Sequence, residues 1–344
     1  MIAKALKPST LSLLGLILLP FTISAGALPI GVCYGLNGNN LPSKQDAINL
    51  YKEKGITKMR IYSPVPEVLN ALRGSNIELL VDVSFEDVKP LATDASVAPI
   101  WIHNNVQTYW PDVKFRYIAV GNEVTPESEY APFIGPAIEN LHNAIVAAGL
   151  QEQIKVSTST YPPLLGASNP PSQGSFSDVA KPFIKPIIDL LVGHNAPLLV
   201  NIYPYFTYLG NQGNGELDYA LFRSPGVVVQ DGSLGYENLY DAMLDAFYWA
   251  LEKEGGNTVE IVVSETGWPS EGSSASSVEN AGTYYKNLIN HVKAGSGTPK
   301  RPGKAIETYL FAMFDENEKT GHETEKHFGL FTPNKQPKYA VSFN

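Results

Sequence analysis

Apolar residues along this chain alternate between two rhythms. Short, largely apolar and β-branched runs recur at residues 29–34 (PIGVCY), 58–62 (KMRIY), 77–83 (IELLVDV), 114–120 (KFRYIAV), 154–159 (IKVSTS), 198–203 (LLVNIY), 259–263 (VEIVV) and 305–314 (AIETYLFAMF). Runs of this kind predict strands buried on both faces. Between them the spacing turns helical. Residues 43–54 place Ala47, Ile48 and Tyr51 on one face before Gly55, and 65–72 start at a proline and carry Val65, Val68, Leu69 and Leu72. A less regular helical stretch reaches residue 110, and a clean stripe of Ile134, Ala137, Ile138, Leu141 and Ile145 runs over 133–148. Further helices are predicted at 179–192 and at 237–254, with Tyr240, Met243, Leu244, Phe247 and Leu251 on one face. The last opens on Ser276-x-x-Glu279, read as a capping box, and is expected to bury Val278, Ala281, Tyr285, Leu288 and Val292.

Strict alternation of strand and helix predicts a parallel sheet, and eight such units over one domain's length predict an α/β fold closed as a single (β/α)8 TIM barrel. A doubly wound open sheet is the alternative, but no G-x-G-x-x-G or Walker sequence follows the first strand. Two connections are long. YPPLLGASNPPSQGS follows the fifth strand, and a segment rich in Gly and Asn runs from the sixth to Gly235, so both loops are expected to be enlarged and to shape a binding rim.

The first residues belong to neither rhythm. Lys4 and Lys7, an apolar stretch over 11–23 and Ala25-Gly26-Ala27 form the pattern of a secretory signal peptide covering residues 1–27, too short in its apolar part to span a bilayer. The barrel domain is then residues 28–344, and no membrane partner is expected once the leader is removed. The net charge is −9 and becomes more negative when Lys4 and Lys7 leave. Such a surface argues against nucleic acid and anionic membranes as partners and suits a neutral substrate. Cys33 is the single cysteine, so no internal disulfide can form, and its apolar surroundings suggest a buried small hydrophobe. No N-x-S/T sequon is present.

In a (β/α)8 barrel the chemistry gathers at the C-terminal ends of the strands. The residues there are Tyr34, Tyr62, Glu123, Tyr161, Tyr203, Glu265 and Glu316. Glu265 draws attention because it ends the apolar run VEIVVS, just before Gly267, Trp268 and Pro269. It is either a hydrogen-bonded turn carboxylate or a catalytic one, with the Trp268 ring beside it. Acids with tyrosines and no phosphate cradle suggest glycoside hydrolysis, in which one carboxyl protonates the leaving oxygen, a second acts at the anomeric carbon and aromatic rings meet sugar C–H faces. Other chemistries find less support. His322 and His327 in HETEKH stand five apart rather than four, no G-x-S-x-G is present, and no metal or other cofactor is expected.

The segments IGVCYGLNGNNLPS, RYIAVGNEV, VNIYPYF, VEIVVSETGWPSEG and ETYLFAMFDENEK, which span the chain beyond the leader, together resemble the plant endo-β-1,3-glucanases of glycoside hydrolase family 17, the pathogenesis-related glucanases. The resemblance implies a retaining endo-hydrolase of β-1,3-glucan, acting on fungal wall glucan or callose in plant defence. Glu265 would be the nucleophile and Glu123 the acid/base, their carboxyls about 5–5.5 Å apart. Glu316, Lys319 and Glu325 would line the cleft as supporting charges, Lys319 helping to keep Glu265 ionised while burial and a nearby negative charge keep Glu123 protonated. Asn122 would donate to the sugar 2-hydroxyl, Tyr34 and Tyr203 would serve the nucleophile or the substrate, and Phe206 would contact substrate. Ser63 stands where many relatives carry Asp, and Phe328 where Trp is common, which bears on subsites rather than on the reaction. A glucanase of mixed β-1,3;1,4-glucan and a β-glucan-binding protein without turnover are the alternatives. A monomer is expected and, with no extension after Asn344, secretion to the apoplast or cell wall rather than the vacuole.

Overall fold

The computed structural model describes residues 30–211 and 216–343, so the leader at 1–27 lies outside the described residues. Eight parallel strands close into a barrel: β1 Ile30–Cys33, β2 Lys58–Ile61, β3 Glu78–Val83, β4 Lys114–Asn122, β5 Lys155–Thr160, β6 Leu198–Asn201, β7 Ile261–Thr266 and β8 Thr308–Leu310. They follow one another in chain order around the ring, and Ile30 pairs with Thr308 to close it. The strands are almost entirely buried, as their apolar runs predict, because side chains fill the barrel inside and helices cover it outside.

The helices are α1 Lys44–Glu53, α2 Pro66–Leu72, α3 Phe85–Thr93, α4 Val97–Ile102, α5 Ala131–Ala147, α6 Lys181–His194, α7 Pro204–Gly210, α8 Leu217–Ala220, α9 Leu239–Lys253 and α10 Val278–Ala294. Among the described residues no helix is long and apolar enough to cross a membrane. Both long loops are built structures. The one after β5 contains a short antiparallel ladder of Leu165–Ala167 with Ser175–Phe176, and the one after β6 carries α7, α8 and the ladder of Val229–Asp231 with Leu234–Tyr236.

Three local expectations are corrected. The cap of α10 is Ser277, whose side chain accepts from the amide of Asn280, while Ser276 instead bonds the Tyr205 hydroxyl at 3.1 Å. With the start moved by one residue, Val278 is 57 % exposed and the buried stripe begins at Ala281. The eighth strand is also shorter than its apolar run. Past Leu310 the backbone bonds to Thr266, Phe328 and Cys33 instead of continuing the ladder. Finally, β7 does not stop before Glu265. It continues to Thr266 through a register shift between Val263 and Glu265.

The barrel's N-terminal end is plugged by charge. Buried Lys58 pairs with Glu78, and Arg116 reaches Glu307 at 2.7 Å. The opposite end is left open for a site.

Candidate active site

Glu123 and Glu265 both sit where a parallel ladder slips. The β4–β5 register shifts between Ala119 and Asn122, and the β7–β6 register between Val263 and Glu265. A bulge re-aims the side chain that follows it, and here both shifts bring a carboxyl onto the lining of one cleft of about 410 Å³. Tyr34, Tyr62, Asn122, Glu123, Tyr203, Phe206, Glu265, Glu316, Lys319 and Glu325 all line this cleft, whereas Tyr161, just past β5, does not. Glu123 stands just past β4 in left-handed backbone, at φ 54°, a conformation a glutamate rarely adopts, and its amide is tied to the carbonyl of Ser159 at 2.9 Å.

Beneath the two acids lies a buried guanidinium that strand-end reasoning passed over. Arg60 of β2 is 0 % exposed and spends its whole fork inside the protein. It donates to both oxygens of Asp82 at 3.1 and 2.7 Å, to Asn122 Oδ1 at 2.9 Å, to Asn201 Oδ1 at 3.2 Å and to Glu265 Oε1 at 2.9 Å. Asn201 forwards the network, donating through Nδ2 to Glu123 Oε1 and to Asn122 Oδ1, each at 2.9 Å. The Asn122 side-chain oxygen is thus held by two donors, which leaves its amino group for the cleft.

Glu265 receives three donors. Arg60 and the Tyr62 hydroxyl, at 2.7 Å, share Oε1, and the Tyr203 hydroxyl reaches Oε2 at 2.7 Å. A cation and two phenols thus fix the position of this carboxyl from both of its oxygens. Glu123 has one such donor, Asn201. Burial, and then the charge of Glu265, push its carboxyl up to about 7, against the weaker opposing pull of the Asn201 bond. Two carboxyls in one cleft thus meet different surroundings, one gripped by three donors and one left in a setting that favours its protonated form.

The remaining candidates form the walls. Glu316 is buried, its pKa raised by burial, and it accepts from the backbone amide of Asn37 at 2.8 Å. Lys319 lies over the Phe311 ring at 4.9 Å, and its charge acts on Glu316 and on Glu325, whose pKa burial also raises. The cation in contact with Glu265 is therefore Arg60, not Lys319. Tyr34 is buried, with no hydrogen bond to its hydroxyl among the described residues, and the phenol bonding Glu265 beside Tyr203 is Tyr62. Phe206, on α7, is 45 % exposed and offers an open ring tilted by 56° against Tyr203. Trp268 does not stand in the cleft. It is fully buried and packs on Tyr205 and Tyr284 with ring centres 5.2 and 5.6 Å away. Among the described residues no group of three or more His, Cys, Asp or Glu side chains could hold a metal ion.

Comparison with known proteins agrees with this geometry. The profile of glycosyl hydrolases family 17 matches residues 30–343. The chain belongs to that family. It is 61 % identical, over 96 % of both chains, to a protein of Vitis vinifera named glucan endo-1,3-beta-glucosidase. An acidic isoform of the same name from Nicotiana tabacum is 58 % identical over 93 % of this chain and 92 % of its own. The solved structure of CJP38, a beta-1,3-glucanase and allergen of Cryptomeria japonica pollen, superposes with a TM-score of 0.89 at 46 % identity, covering 92 % of this chain and 99 % of that one. In this family 17 chain the fold matches a known barrel over its length. Arg60, Asp82 and Asn201, which strand-end reasoning did not single out, complete the floor of its cleft.

Proposed function

We propose that this family 17 chain is a secreted, retaining endo-hydrolase of β-1,3-glucan, with Glu265 as nucleophile and Glu123 as acid/base. The observation that carries the reading is the contrast between the two carboxyls: Glu123 lifted to about 7 by burial and by Glu265, and Glu265 gripped by Arg60, Tyr62 and Tyr203. The names of the relatives supply the substrate class. Glu265 attacks the anomeric carbon as the bond to the leaving oxygen breaks, and Glu123 gives its proton to that oxygen. A water then gives a proton back to Glu123 while its oxygen displaces Glu265. Oε2 of Glu265, with Tyr203 as its one donor, has more lone-pair density open to the cleft than Oε1, which has two, so Oε2 is the attacking atom.

The Asn122 amino group serves the sugar 2-hydroxyl, and the exposed Phe206 ring meets a pyranose face. Secretion rests on the leader pattern of residues 1–27. A role on fungal wall glucan or callose in defence rests on the resemblance of the sequence segments to the pathogenesis-related glucanases.

The test is hydrolysis of laminarin by the purified mature protein, with proton NMR of the first anomer formed, beside mixed β-1,3;1,4-glucan and the Glu265→Gln variant. Initial β-anomer from laminarin, absent with the variant, is expected. Initial α-anomer, preference for the mixed glucan, or undiminished turnover by the variant would each overturn part of the reading.

A further inference from the structure

Two aromatic side chains among the described residues are exposed, Phe206 at 45 % and Phe85 at 41 %, and both stand on the barrel's catalytic face. Phe206 belongs to the cleft, but Phe85 does not line it. It follows the C-terminal end of β3 directly, behind Ser84, and opens α3. Packing does not require a ring there, since the buried residues of α3 are Val88 and Leu91. Its partner is Tyr130, the N-cap residue of α5, at the end of the loop that starts from Glu123. The ring centres are 4.8 Å apart and tilted by 50°, so the two rings make one joint apolar surface.

Carboxylates surround that surface. Glu86 follows Phe85, and Glu127 and Glu129 precede Tyr130, all three exposed. Tyr161, just past β5, has a phenol whose pKa is raised by burial and then by the charges of both Glu123 and Glu127. Acids and aromatics thus continue from Glu123 along the β4 loop to the rim above β3. Aromatic rings flanked by carboxylates suit a pyranose, because the rings take its C–H face and the carboxylates accept from its equatorial hydroxyls.

The topology gives the direction. β3 and β5 flank β4, which carries Glu123, and the group that protonates the glycosidic oxygen lies toward the departing half of the chain. We propose that Phe85 and Tyr130 form a stacking site for a glucosyl residue in the leaving half of the glucan, beyond the cleft that holds the two acids. This site rests on the glucanase reading above and extends it along the polymer.

The experiment uses the full mature protein and two substrates: a β-1,3-gluco-oligosaccharide long enough to cross the face, labelled at its reducing end, and an aryl β-laminaribioside whose leaving group carries no sugar. For Phe85→Ala, the ratio of kcat/KM on the long substrate to that on the aryl glycoside falls about fivefold, the loss of one stacking contact. The labelled product also becomes shorter, because the chain no longer gains from extending over the leaving side. Phe85→Trp restores both. An unchanged ratio and unchanged cleavage pattern would overturn the site, as would labelled product that grew longer, which would put the pair on the other side. Equal loss on both substrates would also overturn it, by showing a structural role. Wild-type protein inert toward both substrates would remove the glucanase reading itself, an outcome distinct from all of these.

Discussion

Arg60 Nη1 lies 2.9 Å from Oε1 of Glu265, and the two side chains form an ion pair buried beneath the cleft. The same guanidinium grips Asp82 through its other edge, so one cation serves two acids. Arg60→Met would leave both carboxylates unpaired in a low-dielectric interior, a change that costs about 3–5 kcal/mol. Urea unfolding measures it. Arg60→Lys keeps the charge but cannot span both partners, and the resulting displacement of Glu265 is expected to lower kcat/KM about a hundredfold. Adding Asp82→Leu to Arg60→Met should recover much of the stability and none of the activity. Full activity in Arg60→Lys would show that charge alone, without the fork, positions Glu265.

Gly35 sets the place of Glu316. A Cβ built on Gly35 would overlap both carboxyl oxygens of Glu316, so Gly35→Ala must push that carboxyl off the Asn37 amide. Losing a hydrogen bond to a charged group is expected to lower kcat/KM on laminarin about tenfold, with little change in the unfolding midpoint. If the effect runs through Glu316, Gly35→Ala adds almost nothing in a Glu316→Ala background. Additive losses in the double variant would place the effect elsewhere in the loop.

A pair of histidines between α5 and α6 makes the fold sensitive to acid. The His142 and His194 rings stack with centres 3.6 Å apart and planes 2° from parallel. His194 Nε2 reaches Glu139 at 3.2 Å, and its buried Nδ1 has no partner among the described residues. Burial, then the charge of His194, lower the pKa of His142; Lys155 adds to the effect and Glu139 opposes it. A base with a depressed folded pKa takes up its proton more readily when unfolded, so this stability is present at neutral pH and is lost as pH falls below the unfolded value of about 6.5. The urea midpoint of the wild type should therefore drop between pH 7 and 5 by more than that of His142→Phe, which keeps the stacked ring without the charge. Parallel declines in the two proteins would clear the pair of responsibility.

How much of this was legible in the residues differs from place to place. The barrel was, because eight apolar runs separated by helical stripes leave few other parallel folds. Glu123 and Glu265 were legible as positions, since an acid ending an apolar strand has no solubility reason to be there. Their aim was not, because it depends on register slips against β5 and β6, and pairing between distant strands leaves no local mark. Arg60 was harder still. The second base in KMRI, after Lys58, reads as a solvated residue until the barrel closes over it, and only the solitary Asp82 in LLVDV, one strand on, hinted at a buried partner. The α10 cap fell between adjacent serines, and a tertiary bond from Ser276 to Tyr205 decided it.

Glu123 carries a cost that its removal should reveal. Its carboxyl rises from the ordinary 4.5 to about 7, first through burial and second through Glu265. As an acid, it binds its proton more tightly in the folded protein than in the unfolded chain. Stability is therefore unaffected below the unfolded value, falls as pH rises from about 4.5 through 7, and levels off above that. At about 1.36 kcal/mol per unit, the full penalty is at most about 3 kcal/mol. Glu123→Gln imitates the protonated form, so it should be more stable than wild type at pH 8 by up to that amount and indistinguishable near pH 4. The same titration sets the alkaline limb of kcat/KM, because a proton donor is lost as pH passes about 7. Carbon NMR of Glu123 in the Glu265→Gln variant then separates the two causes. With the neighbouring charge gone, its pKa should fall below 7 but stay above 4.5, held there by burial. A value unchanged from wild type would mean that the Glu265 charge does not reach Glu123 and that burial alone raises its carboxyl.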